Sequence, residues 1–206
     1  VGVDPENGDP LWYMDEKDAN KNPTGRRVTT NDYSSADYYY VNKSSLPKVY
    51  GGFNTSLSWK GFDLSAIFAY SIGGYIYNRD ITMILHNGSL EGRDWSTEIL
   101  KRWTPDNRYT DVPALSTTSN NWNSASTRFL QNNSYMRLKN LTLSYNLPKQ
   151  WISKLSLSSV QVYVQGDNLF TIHRNQGLDP EQGITGITYY RYPAMRTISG
   201  GINVSF

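Results

Sequence analysis

The stretch Tyr192-Pro193-Ala194-Met195-Arg196-Thr197-Ile198-Ser199-Gly200-Gly201-Ile202-Asn203-Val204-Ser205-Phe206 decides the fold. Ile198, Gly200, Ile202, Val204 and Phe206 share one parity, and Thr197, Ser199, Asn203 and Ser205 share the other. Alternation with a period of two marks a strand with one apolar and one polar face. A strand that ends on an apolar aromatic, with no polar tail after it, needs a cover for its outer face. That cover is either a protein core or lipid.

Working outward, the same pattern recurs. Val160, Val162 and Val164 alternate with Gln161, Tyr163 and Gln165 in a strand reaching Phe170. Leu141, Leu143, Tyr145 and Leu147 alternate with Asn140, Thr142, Ser144 and Asn146. Arg137 and Lys139 fall on the apolar parity of that strand. Either they sit above the membrane band or the register shifts there. The clearest hairpin runs from Val49 to Ile72. A two-residue loop at Lys60-Gly61 pairs Trp59 with Phe62, Leu57 with Leu64 and Phe53 with Phe68. Every large apolar residue of the hairpin except Ile67 then lands on one face.

Composition fits an all-β membrane protein and excludes several other classes. Among 206 residues there are 16 Tyr, 6 Trp and 6 Phe, residue types favoured in strands and at membrane interfaces. Net charge is only +2 with no basic stripe, so no nucleic-acid partner is expected. Mean hydropathy is −0.58 and no transmembrane helix is encoded, which leaves open a barrel whose strands are half apolar. There is no cysteine, so thiolate metal sites and thiol catalysis are excluded. Val1-Gly2-Val3-Asp4-Pro5 reads as the middle of a longer chain.

Between the strands lie long polar stretches. Residues 1–47 are broken by Asp4-Pro5, Asn7-Gly8, Asp9-Pro10 and Asn22-Pro23 and read as a loop region, with Tyr38–Val41 a possible short strand. Its acids, Asp4, Glu6, Asp9, Asp15, Glu16 and Asp18, lack the spacing of a calcium loop and read as turn caps. Residues 78–131 hold a possible short helix within 90–103, and residues 171–193 are irregular. We therefore expect about five antiparallel strands, near 48–60, 62–77, 132–146, 159–170 and 194–206, in a region spanning 48–206. The parity places Lys60-Gly61 and Pro148–Ser159 on one rim. It places 1–47, 78–131 and 171–193 on the other, as in a transmembrane barrel with long extracellular loops.

Several segments also resemble a known family. They are Leu46–Asn54 (LPKVYGGFN), Lys101–Pro105 (KRWTP), Asn133–Leu143 (NSYMRLKNLTL), Gly166–Thr171 (GDNLFT), Gly177–Glu181 (GLDPE) and the Tyr192–Phe206 stretch. Taken in this order they resemble SusC/RagA-like TonB-dependent outer-membrane transporters across nearly the whole chain. The resemblance implies the C-terminal sector of a 22-strand barrel. It implies a nutrient importer for oligosaccharide or peptide in the cell outer membrane, with a SusD-like surface lipoprotein as partner. TonB would act through an N-terminal part that lies outside these residues.

No enzymatic chemistry is legible. Only His86 and His173 occur, and there is no HExxH, nucleophile elbow or phosphate loop. No cofactor and no metal are expected. Asp179 and Glu181 form a carboxylate pair, which a turn explains more simply than glycosidic chemistry. Trp95, Trp103, Tyr109 and Trp122 are the candidates for stacking on substrate, against the alternative that they pack the loop itself. Ile202, Val204 and Phe206 are the candidate assembly signal, a strand edge read by strand addition. The competing reading of the whole chain is a soluble β-sandwich that binds carbohydrate through the same aromatics.

Overall fold

Lys60 and Gly61 both adopt positive φ, 47° and 88°. This left-handed pair is what a two-residue hairpin turn requires, because its twist matches that of the flanking strands. In the computed structural model the turn joins two strands of eleven residues each, with Trp59 opposite Phe62, Leu57 opposite Leu64 and Phe53 opposite Phe68. The structure describes residues 1–206 except positions 89, 119–120, 176, 182–184 and 189, and at 155 the backbone alone. The excepted positions belong to the two long stretches 78–131 and 171–193.

In chain order the elements are β1 (Gly2–Val3), β2 (Pro10–Lys17), β3 (Pro23–Thr30), β4 (Val49–Trp59), β5 (Phe62–Ile72), β6 (Tyr75–Asn78), α1 (Arg79–Ile84), β7 (Leu130–Asn132), β8 (Tyr135–Asn146), α2 (Lys149–Ile152), β9 (Ser159–His173), β10 (Ile187–Thr188) and β11 (Thr197–Ser205). The chain divides into two compact units: residues 1–42 with 78–129, and residues 43–77 with 130–206.

The second unit is built on a five-stranded antiparallel sheet in the order β11-β9-β8-β5-β4. A smaller sheet, β10-β6-β7, accompanies it. The second strand of the hairpin stops at Ile72 rather than 77, because Gly73 turns the chain with φ of 92° and Tyr75–Asn78 joins the small sheet. Where β8 pairs with β5, Ile67 faces Asn140 but Phe68 faces Leu138, so Lys139 is an extra residue. This β-bulge reverses the parity of everything before it. Leu138 and Met136 move to the apolar face and Arg137 moves to the polar one. The charged residues on an apolar parity are thereby accounted for by a register shift.

The first unit departs from the sequence expectation. Residues 10–30 form the β2–β3 hairpin, with β1 alongside, instead of a loop. Neither arm shows a clean two-residue period, and the turn at Asp18 is made by side-chain capping: its Oδ1 accepts the amides of Asn20 and Asn22. Tyr38–Val41, by contrast, is not a strand. The helical turn expected within 90–103 is a 3-10 segment at Thr97–Lys101, capped by Ser96. Its Ile99 joins Val112 and Trp122 in the unit's buried core.

Candidate functional site

The five-stranded sheet presents two chemically opposite faces. Cross-strand rows on one face read Trp59–Phe62–Tyr145–Val162–Ile202, then Leu57–Leu64–Leu143–Val164–Gly200, then Phe53–Phe68–Leu138–Phe170. Phe53 stacks on Phe68 at 4.7 Å between centroids, and Phe62 lies 4.5 Å from Tyr145. These side chains are bare: Leu57 is 67% exposed, Ile202 65% and Leu143 42%. A soluble sandwich would cover such a row with a second sheet, so that alternative fails. Contiguous exposed apolar surface of this extent marks contact with a membrane or partner.

The opposite face is a hydrogen-bonded polar ladder. Asn203 donates to Gln161, which donates to Ser144, at 3.2 and 3.3 Å. Thr142 donates to Asn140, and Asn140 donates to Asp167, at 2.9 and 2.8 Å. Gly201 of β11 leaves room for the Tyr163 ring: a Cβ would lie 2.7 Å from the hydroxyl oxygen, and the ring would have to shift.

On this polar face Arg137 is 3% exposed. Its guanidinium donates to Asp179 at 2.5 Å, Glu181 at 2.8 Å and Thr171 Oγ1 at 3.0 Å. Lys139 Nζ reaches the Glu181 carboxylate at 2.7 Å. The second oxygen of Asp179 accepts the Ala194 amide at 2.7 Å. Burial alone would raise the Asp179 pKa. The Ala194 amide, the Arg137 guanidinium and the Glu181 amide outweigh it and hold the carboxyl below its ordinary value. The carboxylate pair seen in the sequence is therefore committed to basic partners.

Within the first unit, the four loop aromatics have different surroundings. Trp122 is 5% exposed, and the Arg128 guanidinium lies 3.6 Å from its ring centre. Burial pushes the Arg128 pKa down to about 10, which still leaves it charged at neutral pH. Trp103 donates from Nε1 to the Pro5 carbonyl at 3.1 Å. Trp95 donates to Nδ1 of the buried His86 at 3.0 Å and is 44% exposed. Tyr109 is 94% exposed. Open ring faces thus remain at Trp95 and Tyr109.

The sequence reading missed a second aromatic group in the same unit. A cleft of about 850 Å³ is lined by Trp12, Tyr13, Tyr33 and Tyr39 with Arg27 and Arg128. Arg27 lies 4.0 Å from the Tyr39 ring centre and 5.8 Å from that of Tyr13. Tyr39 donates to Asp15, and Tyr33 donates to the Ala125 carbonyl. The missed cue was the aromatic density of residues 12–40, hidden by the turn residues around it. Ile202, Val204 and Phe206 lie together on the apolar parity, exposed by 65, 44 and 91%.

A five-stranded antiparallel sheet with a bare apolar face and a polar, hydrogen-bonded face has the pattern of transmembrane β-barrel strands. No protein-family model matches the chain. Among curated proteins it is 34% identical over 166 residues to TonB-dependent receptor P3 of Formosa agariphila, covering 75% of this chain and 16% of that receptor. It is 28% identical over 202 residues to the TonB-dependent receptor SusC of Bacteroides thetaiotaomicron, covering 98% of this chain and 18% of SusC. Among solved structures, the RagAB peptide transporter superposes with a TM-score of 0.83 at 36% identity, covering all of this chain and 22% of the transporter chain. The chain belongs to the SusC/RagA-like TonB-dependent receptors, which are outer-membrane proteins and not enzymes. It spans about a sixth to a fifth of the length of the curated relatives it matches.

Proposed function

We propose that this chain supplies barrel wall and substrate-side loops to a TonB-dependent outer-membrane importer of oligosaccharide or peptide. The observation that carries the reading is the pair of faces on the five-stranded sheet. Lipid covers the apolar rows, and the polar ladder borders the lumen. The segments leaving the far end of the sheet from Lys60-Gly61, residues 78–131 and 171–193, are extracellular and meet substrate or a SusD-like surface lipoprotein. Residues 1–47 belong to the same side. Substrate stacks on Trp95 and Tyr109, and TonB engages a part of the receptor outside these residues. Ile202, Val204 and Phe206 lie along the open edge at β11, which an assembly factor pairs with by strand addition before the barrel closes.

Uptake and binding by the whole receptor test this reading. Removing TonB should abolish uptake and leave surface binding intact. Trp95→Ala with Tyr109→Ala should weaken substrate binding by roughly 5- to 150-fold, at about 0.5–1.5 kcal/mol per stacked ring. Uptake that persists without TonB would overturn the importer reading. Unchanged affinity in the double variant would remove these two rings from the substrate site.

A further inference from the structure

Residues 174–196 connect β9 to β11, and two points of this connection converge on one buried cation. Arg137 projects from β8 on the polar face, beside the bulge at Lys139. Its fork holds Asp179 and Glu181, while Asp179 also accepts the amide of Ala194, three residues before β11 begins. The pair is dry, with side-chain exposures of 4% for Arg137 and 6% for Asp179. Asn133, just before β8, adds a bond from Nδ2 to the Pro180 carbonyl at 2.8 Å. The four charges Arg137, Lys139, Asp179 and Glu181 sum to zero.

A buried ion pair is a poor source of net stability, because desolvation of both charges cancels most of their attraction. Its value lies in specificity: the pair tolerates one arrangement and strongly disfavours the half-open ones, in which a charge is buried unpaired. We propose that Arg137 is a positioning residue, a latch that fixes Asp179–Glu181 to the polar face of the sheet and, through the Ala194 amide, sets the entry of β11. The latch has two discrete states. In the docked state all four groups are matched, and in the released state Asp179 and Glu181 are hydrated. The sheet ladder is intact in both, since Arg137 holds the connection through its side chain alone. This holds whether or not the connection touches substrate.

The test uses the whole receptor in outer-membrane preparations. Pro180→Cys places a thiol at a buried position beside the latch, in a segment with no native cysteine. Maleimide labelling of that thiol reads release. Arg137→Gln should raise the labelling rate roughly tenfold or more, since loss of one partner of a buried pair is strongly destabilising. Asp179→Asn should do the same, and Arg137→Lys, which keeps charge and loses the fork, should fall between. Heat-modifiable migration of the barrel should be unchanged in all three. A slow, unchanged rate in an inserted Arg137→Gln or Asp179→Asn receptor would overturn the latch. Should Arg137→Gln fail to insert, Asp179→Asn decides alone. If neither inserts, Arg137 is needed to build the sheet and the latch is refuted.

Discussion

Placing an arginine along one strand tests the lipid face quantitatively. A strand rises about 3.3 Å per residue, and a tilt of about 40° leaves roughly 2.5 Å per residue along the membrane normal. On the proposed topology the aromatic row Trp59–Phe62–Tyr145 is the girdle at the short-turn rim. With an apolar band about 25 Å tall, the midplane lies about five residues above that row. Leu141, four residues up β8 from Tyr145 and paired with Ala66 and Gly166, is about 10 Å in. Leu143 is about 5 Å in. Leu141→Arg should therefore cost about 2–4 kcal/mol, Leu143→Arg about 1–2, and Tyr145→Arg less than about 1. Ser65 sits in the neighbouring strand one residue nearer the rim, between the depths of Leu141 and Leu143, but on the polar parity, opposite Thr142. Ser65→Arg should cost little. Urea titration of the receptor in lipid vesicles, followed by tryptophan fluorescence, gives the four differences. A Ser65→Arg penalty equal to that of Leu141→Arg would refute the two-faced assignment, and a series independent of depth would refute the membrane placement.

Three further outcomes are expected. Trp122→Ala should destabilise the first unit by about 3–5 kcal/mol, because it empties a core shared with Ile99 and Val112; hydrogen exchange should rise across residues 97–129 and not in β5, β8 or β9. Trypsin added to intact cells should cut at Arg108, beside the exposed Tyr109, and spare Lys60; the reverse pattern would invert the topology. Because the folded Asp179 carboxyl titrates below its ordinary value, its contribution is complete above about pH 4 and is lost only as pH falls through the depressed value. Intrinsic-rate-corrected exchange of the Glu181 and Ala194 amides should then stay slow from pH 7 to about 4 and rise only below that.

The sheet was legible because its cause is local and repeated. Each strand carries its own alternation, and Lys60-Gly61 names its turn, so the β4–β5 register could be written pair by pair from the sequence. The first unit was not legible for the opposite reason. Its hairpin has turn residues on every side and no two-residue period, and its core is assembled from Ile99, Val112 and Trp122, which lie far apart in sequence and share no period. Trp122 illustrates the limit: an aromatic in an asparagine-rich stretch looks exposed until the chain that covers it is placed. The aromatic cleft was hidden likewise, since Trp12, Tyr33 and Tyr39 meet only once β2 and β3 have paired and the following segment folds back.

Lys139 shows how one residue can carry two levels of information. Read by strict alternation, Arg137 and Lys139 put two cations on an apolar face, where a cation costs up to about 2–4 kcal/mol at the midplane and less towards either interface. One inserted residue removes the conflict by moving Leu138 and Met136 to lipid and Arg137 to the polar side. The bulge then leaves a buried guanidinium whose bond on its own sheet is to the neutral Thr171 hydroxyl. The matching charges come from Asp179 and Glu181, forty-odd residues later in the chain. The two motifs Asn133–Leu143 and Gly177–Glu181 are thus one physical object: the first creates a buried cation by shifting a register, and the second supplies the carboxylates that make the shift tolerable. A variant that deletes Lys139 removes the bulge but leaves Arg137 on the polar face and Leu138 on the apolar one, because Asn140 and Leu138 already face the consecutive residues Ile67 and Phe68. The expected result is normal barrel insertion in the whole receptor, with Arg137 still held by Asp179 and Glu181. Loss of insertion in the deletion receptor, with rescue when Arg137→Leu is added, would show that Arg137 had turned to the apolar face and that Lys139 is not the extra residue.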